Sequence, residues 1–186
     1  MDSTFRIVCL CGSAGALSAY VNILEEMPVH TGMAFLVLTH RRDGQPSWLP
    51  QILSRTTRMS VGEAEDGTVL APDHVYIIPP GKDMTTDGNS LSLAPCSVPR
   101  GWPTTFDIFL KSLARSTHSR AVAVILSGMA GDGSAALDAI RISGGVTYAQ
   151  SGAAYTSMPD TAMETGKVDF TGSASEISIL IANLVN

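Results

Sequence analysis

The sequence predicts an α/β fold in which a doubly wound, mostly parallel sheet lies between two layers of helices, with an antiparallel hairpin at one edge. Short apolar runs alternate with helical patterns along most of the chain, which is typical of parallel sheets. Several of these runs are apolar at nearly every position, as expected of strands buried on both faces. The 186 residues, of which 45% are apolar, fit one domain that spans 1–186.

The first half of the chain supplies two predicted strands and two predicted helices. Phe5 to Cys11 is the first apolar run, and a helical pattern follows from about Ala16 to Met27. Met33 to Leu38 is the second apolar run. Pro46 to about Thr57 then shows apolar residues on one helical face.

The middle of the chain predicts the hairpin. Val69 to Pro80 and Met84 to Leu93 are patterned as extended chain, and Asp87-Gly88 is a strong hairpin-turn signal. A helix is predicted over Thr104 to Thr117, and Ala121 to Leu126 is the third buried strand.

The last third of the chain continues the alternation. A helix is expected to end near Ile142, and a strand covers Gly145 to Gln150. Two further helices are expected over about Asp160 to Thr165 and Ala174 to Asn183.

Charge and cysteine content exclude several classes of protein. The net charge of −5 and the absence of a basic run argue against a nucleic-acid partner. Three cysteines, two of them in an apolar run, indicate a reducing compartment rather than a disulfide framework. No signal peptide and no apolar run of about 20 residues is apparent, so we expect a cytoplasmic protein without membrane insertion.

Three polar residues follow the three best strands. Ser13 follows the first strand, His40 the second, and Asp132 lies just beyond the third. The carboxyl ends of parallel strands meet at one edge of a sheet, so these side chains are expected to converge. They are the residue types of a nucleophilic hydrolase: Ser13 as nucleophile, His40 as its base and Asp132 as the group that orients the histidine.

The residues alone leave other interpretations open. Ser13 between glycines is also typical of a tight turn or a helix N-cap, and Asp132 between glycines of a turn. A histidine at a strand end is often structural. The order Ser, His, Asp differs from the Ser, Asp, His order of the ordinary α/β-hydrolases.

The same residues resemble the catalytic domain of the chemotaxis protein-glutamate methylesterases (CheB-type). Cys11 to Ala16 reads Cys-Gly-Ser-Ala-Gly-Ala where that family has Gly-Ala-Ser-Thr-Gly-Gly, and His40 falls at the family's histidine. Leu126 to Gly133 reads Leu-Ser-Gly-Met-Ala-Gly-Asp-Gly, similar to the family's Leu-Thr-Gly-Met-Gly-x-Asp-Gly. Further motifs match in the same order over nearly the whole chain.

The resemblance implies hydrolysis of γ-glutamyl methyl esters on the cytoplasmic helices of methyl-accepting chemoreceptors, with release of methanol and, in many members, deamidation of glutamines. It implies the catalytic roles given above for Ser13, His40 and Asp132, and it makes the backbone N–H of Met129 the oxyanion donor. It implies no cofactor and no metal. Because the first strand starts almost at once, we expect no receiver domain in this chain, and regulation by a separate domain or protein.

Departures from the family pattern lie at the expected substrate cleft. Ala14 replaces the threonine after the nucleophile, and Arg41 and Arg42 replace Met-Pro after the histidine. We expect the two arginines to assist association with an acidic receptor helix. Two alternatives remain: a receptor-binding module whose catalysis has been lost, and a phosphate or nucleotide binder that uses the Gly12 to Gly15 turn.

Overall fold

The computed structural model describes residues 5–41, 47–97 and 103–184. Its main sheet has seven strands in the order β3-β4-β2-β1-β7-β8-β9, and every neighbouring pair is parallel. The strands are β1 Ile7–Cys11, β2 Ala34–Leu38, β3 Ser60–Glu63, β4 His74–Ile77, β7 Ala121–Ile125, β8 Val146–Gln150 and β9 Phe170–Gly172. The helices are α1 Leu17–Glu25, α2 Leu49–Thr56, α3 Thr105–Thr117, α4 Leu137–Ile142, α5 Ser157–Glu164 and α6 Ala174–Ala182.

Helices cover both faces of this sheet, so the predicted three-layer, doubly wound architecture is confirmed. Along β1, the side chains of Ile7, Cys9 and Cys11 enter one core and those of Val8 and Leu10 enter the other, as the two-residue period of a strand requires. The first core contains residues of α3, α4 and α5, and the second contains residues of α1, α2 and α6.

The order of the strands reverses at β1. From β1 the chain proceeds to β2, β4 and β3 on one side, and to β7, β8 and β9 on the other. In open parallel sheets such a reversal leaves a crevice at the carboxyl ends of the central strands. The loops after β1, β2 and β7 border this crevice.

The antiparallel hairpin is also confirmed, but it forms a second sheet instead of extending an edge of the first. Its strands, β5 Lys82–Thr86 and β6 Leu91–Pro95, flank the predicted Asp87-Gly88 turn. The hairpin packs on α3 and adds Met84 and Leu91 to the core that α3 shares. The extended segment before it, Val69 to Pro80, contains β4 and belongs to the main sheet.

The two edge strands β3 and β9 were not expected from the sequence. All four residues of β3 are exposed or half-buried, and β9 has three residues. Neither strand presents the apolar run that marks the central strands. None of the helices in the described residues is long and apolar enough to cross a membrane.

Candidate active site

The turn after β1 holds Ser13 at the carboxyl edge of the sheet. The Gly12 N–H donates to Leu38 O of β2 at 3.1 Å, and the Ser13 N–H donates to Ser127 O, just beyond β7, at 2.9 Å. Ser13 is therefore held between the ends of two neighbouring strands. It is half-buried, and α1 begins four residues later.

Gly12 makes this turn possible because no side chain fits at its position. A Cβ atom there would lie 2.5 Å from Ala16 Cβ and 2.6 Å from the Tyr20 hydroxyl. The nearby Cys11 is fully buried, and burial together with contact with Cys9 raises its pKa well above the ordinary value. A neutral, fully buried thiol is a poor nucleophile, which leaves Ser13 as the candidate nucleophile of this turn.

His40 and Asp132, which are 92 residues apart in sequence, are joined by a hydrogen bond. His40 Nε2 lies 2.7 Å from Asp132 Oδ2, and the two side chains are 17% and 2% exposed. The imidazole ring stacks on Phe106 with ring centres 4.1 Å apart and an interplanar angle of 8°. An ionised carboxylate only accepts hydrogen bonds, so with Asp132 ionised Nε2 carries the hydrogen of this contact and Nδ1 is the other ring nitrogen.

The amino terminus of α3 fixes the Asp132 carboxylate. The backbone N–H of Phe106 donates to its Oδ2 and that of Asp107 to its Oδ1, each at 3.0 Å. These N–H groups have no partner within the helix, and the helix dipole favours a negative charge in front of them. Both oxygens of Asp132 are thereby fixed before any substrate arrives.

The structure thus brings together all three loops that carry the predicted residues, and it joins two of the three side chains. Among the described residues, no hydrogen bond connects the Ser13 hydroxyl with His40. Contacts of this kind are often long without substrate and tighten in the complex.

Met129, the predicted oxyanion donor, lies in the loop after β7. Gly128 precedes it, and a Cβ atom on that glycine would lie 3.3 Å from Ser13 Cβ. Ala130 has a φ of 67°, which a non-glycine residue rarely adopts. In the described part of the chain no hydrogen bond uses the Met129 N–H, so it is available to a ligand beside Ser13.

Ser127 is a site residue that the sequence analysis missed. Its buried hydroxyl donates to Ala14 O at 2.8 Å and accepts from Tyr155 N at 3.0 Å, and its own N–H donates to Gln150 Oε1 at 3.0 Å. It connects the turn of Ser13 to the loop of Tyr155. Ser127 follows its strand as Ser13 does, a signal that could have identified it.

The predicted cleft residues occupy different surroundings. Ala14 is half-buried in the turn of the candidate nucleophile. Arg41 is directed away from the His40–Asp132 pair: one of its nitrogens donates to Glu63 Oε1 at 3.0 Å and to Ile78 O at 2.7 Å, and the side chain is 11% exposed. Arg42 lies outside the described residues.

Two exposed apolar side chains lie beside Ser13. Tyr155 is 49% and Met129 is 53% exposed. The Tyr155 ring lies over Gly15, where a Cβ atom would be 2.9 Å from its Cδ2. Among the described residues, no group of three or more His, Cys, Asp or Glu side chains is placed to hold a metal ion.

A parallel sheet with serine, histidine and aspartate gathered at its carboxyl edge defines an α/β domain with the residue set of a serine hydrolase. Comparison with known proteins gives the particular family. The model of the CheB methylesterase family matches residues 8–181. The chain belongs to that family.

Individual relatives agree with the family model. A protein named protein-glutamate methylesterase/protein-glutamine glutaminase 1 from Syntrophomonas wolfei is 33% identical over 183 residues, 93% of this chain and 52% of the relative. A similarly named protein from Photorhabdus laumondii is 31% identical over 90% of this chain and 49% of its own length. The chain therefore spans about half the length of these curated relatives.

A solved structure matches the whole fold. The crystal structure of the Thermotoga maritima CheB methylesterase catalytic domain superposes with a TM-score of 0.90 and 26% sequence identity, and the match covers 98% of this chain and all of that one. The resemblance expected from the motifs is thereby confirmed.

Proposed function

We propose that the chain hydrolyses glutamyl methyl esters on the cytoplasmic helices of chemoreceptors, with Ser13 as nucleophile. The observation that carries this proposal is the His40–Asp132 hydrogen bond of 2.7 Å, fixed at the end of the strands beside Ser13. Family membership supports the reaction, and the relatives named above carry the same activity in their names.

In the first half of the reaction the Ser13 oxygen attacks the ester carbonyl while its proton moves to His40 Nδ1. Asp132 accepts the hydrogen of Nε2, holds the ring in the required tautomer and stabilises the imidazolium. The carbonyl oxygen, on which negative charge develops, accepts a hydrogen bond from the backbone N–H of Met129. When the intermediate collapses, His40 returns the proton to the departing methoxide and methanol is released.

In the second half, water attacks the acyl-enzyme. His40 takes a proton from this water and then returns it to the Ser13 oxygen, which leaves a free glutamate carboxylate on the receptor. The same steps with a glutamine side chain release ammonia instead of methanol. One site therefore accounts for both activities in the names of the relatives.

We propose that the receptor binds to the exposed surface around Ser13. Tyr155, Met129 and Ala14 surround Ser13 with small or apolar surface, which suits the ester methyl group and the apolar part of a helix. At the β4 side of the crevice Arg41 offsets the negative charge of Glu63, so that this side does not repel an acidic helix.

The test is methanol release from a methylated fragment of a chemoreceptor. Ser13→Ala should lower the turnover by about 10⁶-fold, because loss of the nucleophile removes the acyl-enzyme route. Ser175→Ala, which changes an exposed serine on α6, is the matched control and should keep full activity. Tight receptor binding by the folded wild-type protein without methanol release would contradict the proposal and favour the binding module.

Asp132→Asn tests the orienting group separately. The amide can donate to His40 and favour the wrong tautomer, so kcat should fall by about 10⁴-fold. Asp73→Asn is the control. Asp73 likewise accepts hydrogen bonds from two backbone N–H groups, those of Thr31 and Gly32. It directly precedes β4 and therefore lies at the amino ends of the strands, opposite the candidate site. An equal loss of kcat in both variants would contradict the proposed role of Asp132 in orienting His40.

A further inference from the structure

Asp83, on strand β5 of the hairpin, carries a buried carboxyl group that has no role in the reaction steps above. The residue is 6% exposed. Its Oδ1 accepts a hydrogen bond from the Thr105 hydroxyl at 2.9 Å, and its Oδ2 accepts one from the Ser97 N–H at 2.8 Å. Burying a carboxyl group is unfavourable unless hydrogen bonds satisfy its oxygens. Asp83 meets this condition by joining the hairpin to the first residue of α3.

The first turn of α3 is the part of the helix that acts in the candidate site. The N–H groups of Phe106 and Asp107 each donate to Asp132 at 3.0 Å. The Phe106 ring stacks on His40. Both residues directly follow Thr105, which is 5% exposed. A shift of Thr105 would therefore move the two donors of Asp132 and the ring beside His40 together.

This first turn has no ordinary side-chain cap. Thr104, the N-cap residue, makes no capping hydrogen bond with its side chain in the described part of the chain. A helix without such a cap is less stable at that end. Asp132 accepts from the first turn, so the position of each depends on the other. The hydrogen bond from Thr105 to Asp83 ties the turn to a second sheet instead, independently of Asp132.

The hairpin contacts α3 through a second hydrogen bond, far from the site. The N–H of Thr86 donates to Ser112 Oγ at 3.1 Å, about two turns along the helix from Thr105. Ser112 is also buried. The two contacts join the same strand to the same helix, but of the two only that of Asp83 is made by a neighbour of the donors to Asp132.

We propose that Asp83 is a positioning residue, through which the hairpin fixes the first turn of α3 and with it the Asp132 carboxylate and the ring that stacks on His40. The contact acts on the chemical step and not on receptor binding, because Asp83 and Thr105 are both buried. The inference rests on the proposed role of Asp132 in the reaction. One of its two tests needs no substrate, so its outcome is independent of the esterase assay.

The first test is amide hydrogen exchange in Thr105→Val, which keeps the shape of the side chain and removes the hydroxyl. The N–H groups of Phe106 and Asp107 should exchange about tenfold faster than in the wild type, because losing one hydrogen bond weakens local structure by roughly that factor. Thr105→Ser keeps the hydroxyl and should restore slow exchange. Ser112→Ala removes the other contact of the hairpin and should leave the exchange of these two groups unchanged.

The second test is steady-state kinetics with the methylated receptor fragment. Thr105→Val should lower kcat by about tenfold, because a small displacement of the group that orients the base has an effect of that order, and KM should stay unchanged. Thr105→Ser should recover kcat. Ser112→Ala should keep kcat in spite of lower stability, whereas a merely structural contact at Thr105 would leave kcat alike in Thr105→Val and Ser112→Ala.

The proposal is overturned if the Phe106 and Asp107 N–H groups exchange equally fast in Thr105→Val and Ser112→Ala, or if kcat of an active enzyme is the same in both. If Thr105→Val does not fold, the double variant Asp83→Ala/Thr105→Val replaces it, since changing both partners leaves no buried carboxylate without its hydrogen bond. Unchanged exchange there has the same meaning. Faster exchange in Thr105→Val with an inactive wild type would support the positioning by Asp83 and contradict the esterase.

Discussion

The two sides of the crevice are built by different means. On the β7 side, the turn of Ser13 is held by backbone groups, by the buried Ser127 hydroxyl and by glycines that allow close approach. On the β4 side, Arg41 holds the strand ends through one partly exposed ion pair and one contact with a carbonyl oxygen. Rigid positioning is therefore concentrated around Ser13, where the reaction is proposed to occur, whereas the β4 side depends on the ion pair of Arg41 with Glu63.

The strongest test of this comparison is Gly15→Ala. The new Cβ atom would lie 2.9 Å from both Ser127 Oγ and Tyr155 Cδ2, at a φ of 72°. We expect activity to fall by about 100-fold, because displacing a reacting group by roughly 1 Å has an effect of that size. The measurement is kcat for methanol release.

Gly32→Ala is the matched control for Gly15→Ala. Its φ is 67° and no atom lies within 4 Å of the new Cβ atom. Both variants should lose about 1 kcal/mol of unfolding free energy from the left-handed backbone. Equal kcat values in the two variants would show that close packing on the β7 side does not position Ser13.

A smaller effect is expected for Ser127→Ala. Tyr155 N and Ala14 O lose their buried partner, which should lower the free energy of unfolding by about 1–3 kcal/mol and kcat by about tenfold. Ser127→Thr should restore both, since the family resemblance places threonine there. Ser112→Ala removes another buried hydroxyl, bonded to Thr86 N and Phe109 O, and should lower stability without changing kcat.

The smallest effect is expected for Arg41→Gln. A partly exposed ion pair contributes about 0–1 kcal/mol, so stability should change little, and hydrolysis of a small ester should stay within twofold of wild type. Association with the receptor fragment should become slower and less dependent on salt. Arg55→Gln, which removes an exposed charge on α2, is the control. Equal slowing by both variants would indicate an effect of net charge alone.

Most of the fold could be predicted from local patterns in the sequence. The continuous apolar runs predicted the central strands, and the Asp87-Gly88 turn predicted the hairpin. The edge strands β3 and β9 were missed because a strand that is polar or only three residues long has no pattern of its own. Such strands are determined by the neighbours with which they pair.

In the candidate site, too, some residues could be predicted from the sequence and some contacts could not. Ser13, His40 and Asp132 were predicted because strand ends converge in any parallel sheet. The support of Asp132 by the amino terminus of α3, and the link from Ser127 to Tyr155, depend on contacts across more than 20 residues. The direction of Arg41 toward Glu63 depends on β3, which was not predicted.

The stacking of His40 on Phe106 has a practical consequence. A proton that lies over the face of a benzene ring is shielded by the ring current, and the two rings are nearly parallel with centres 4.1 Å apart. The carbon-bound protons of His40 should therefore resonate upfield of those of His30 and His118, which have no aromatic ring stacked on them in the described residues, and of those of His74, whose ring centre is 5.9 Å from that of Tyr76. Protonation of this one imidazole can then be followed without isotopic labelling.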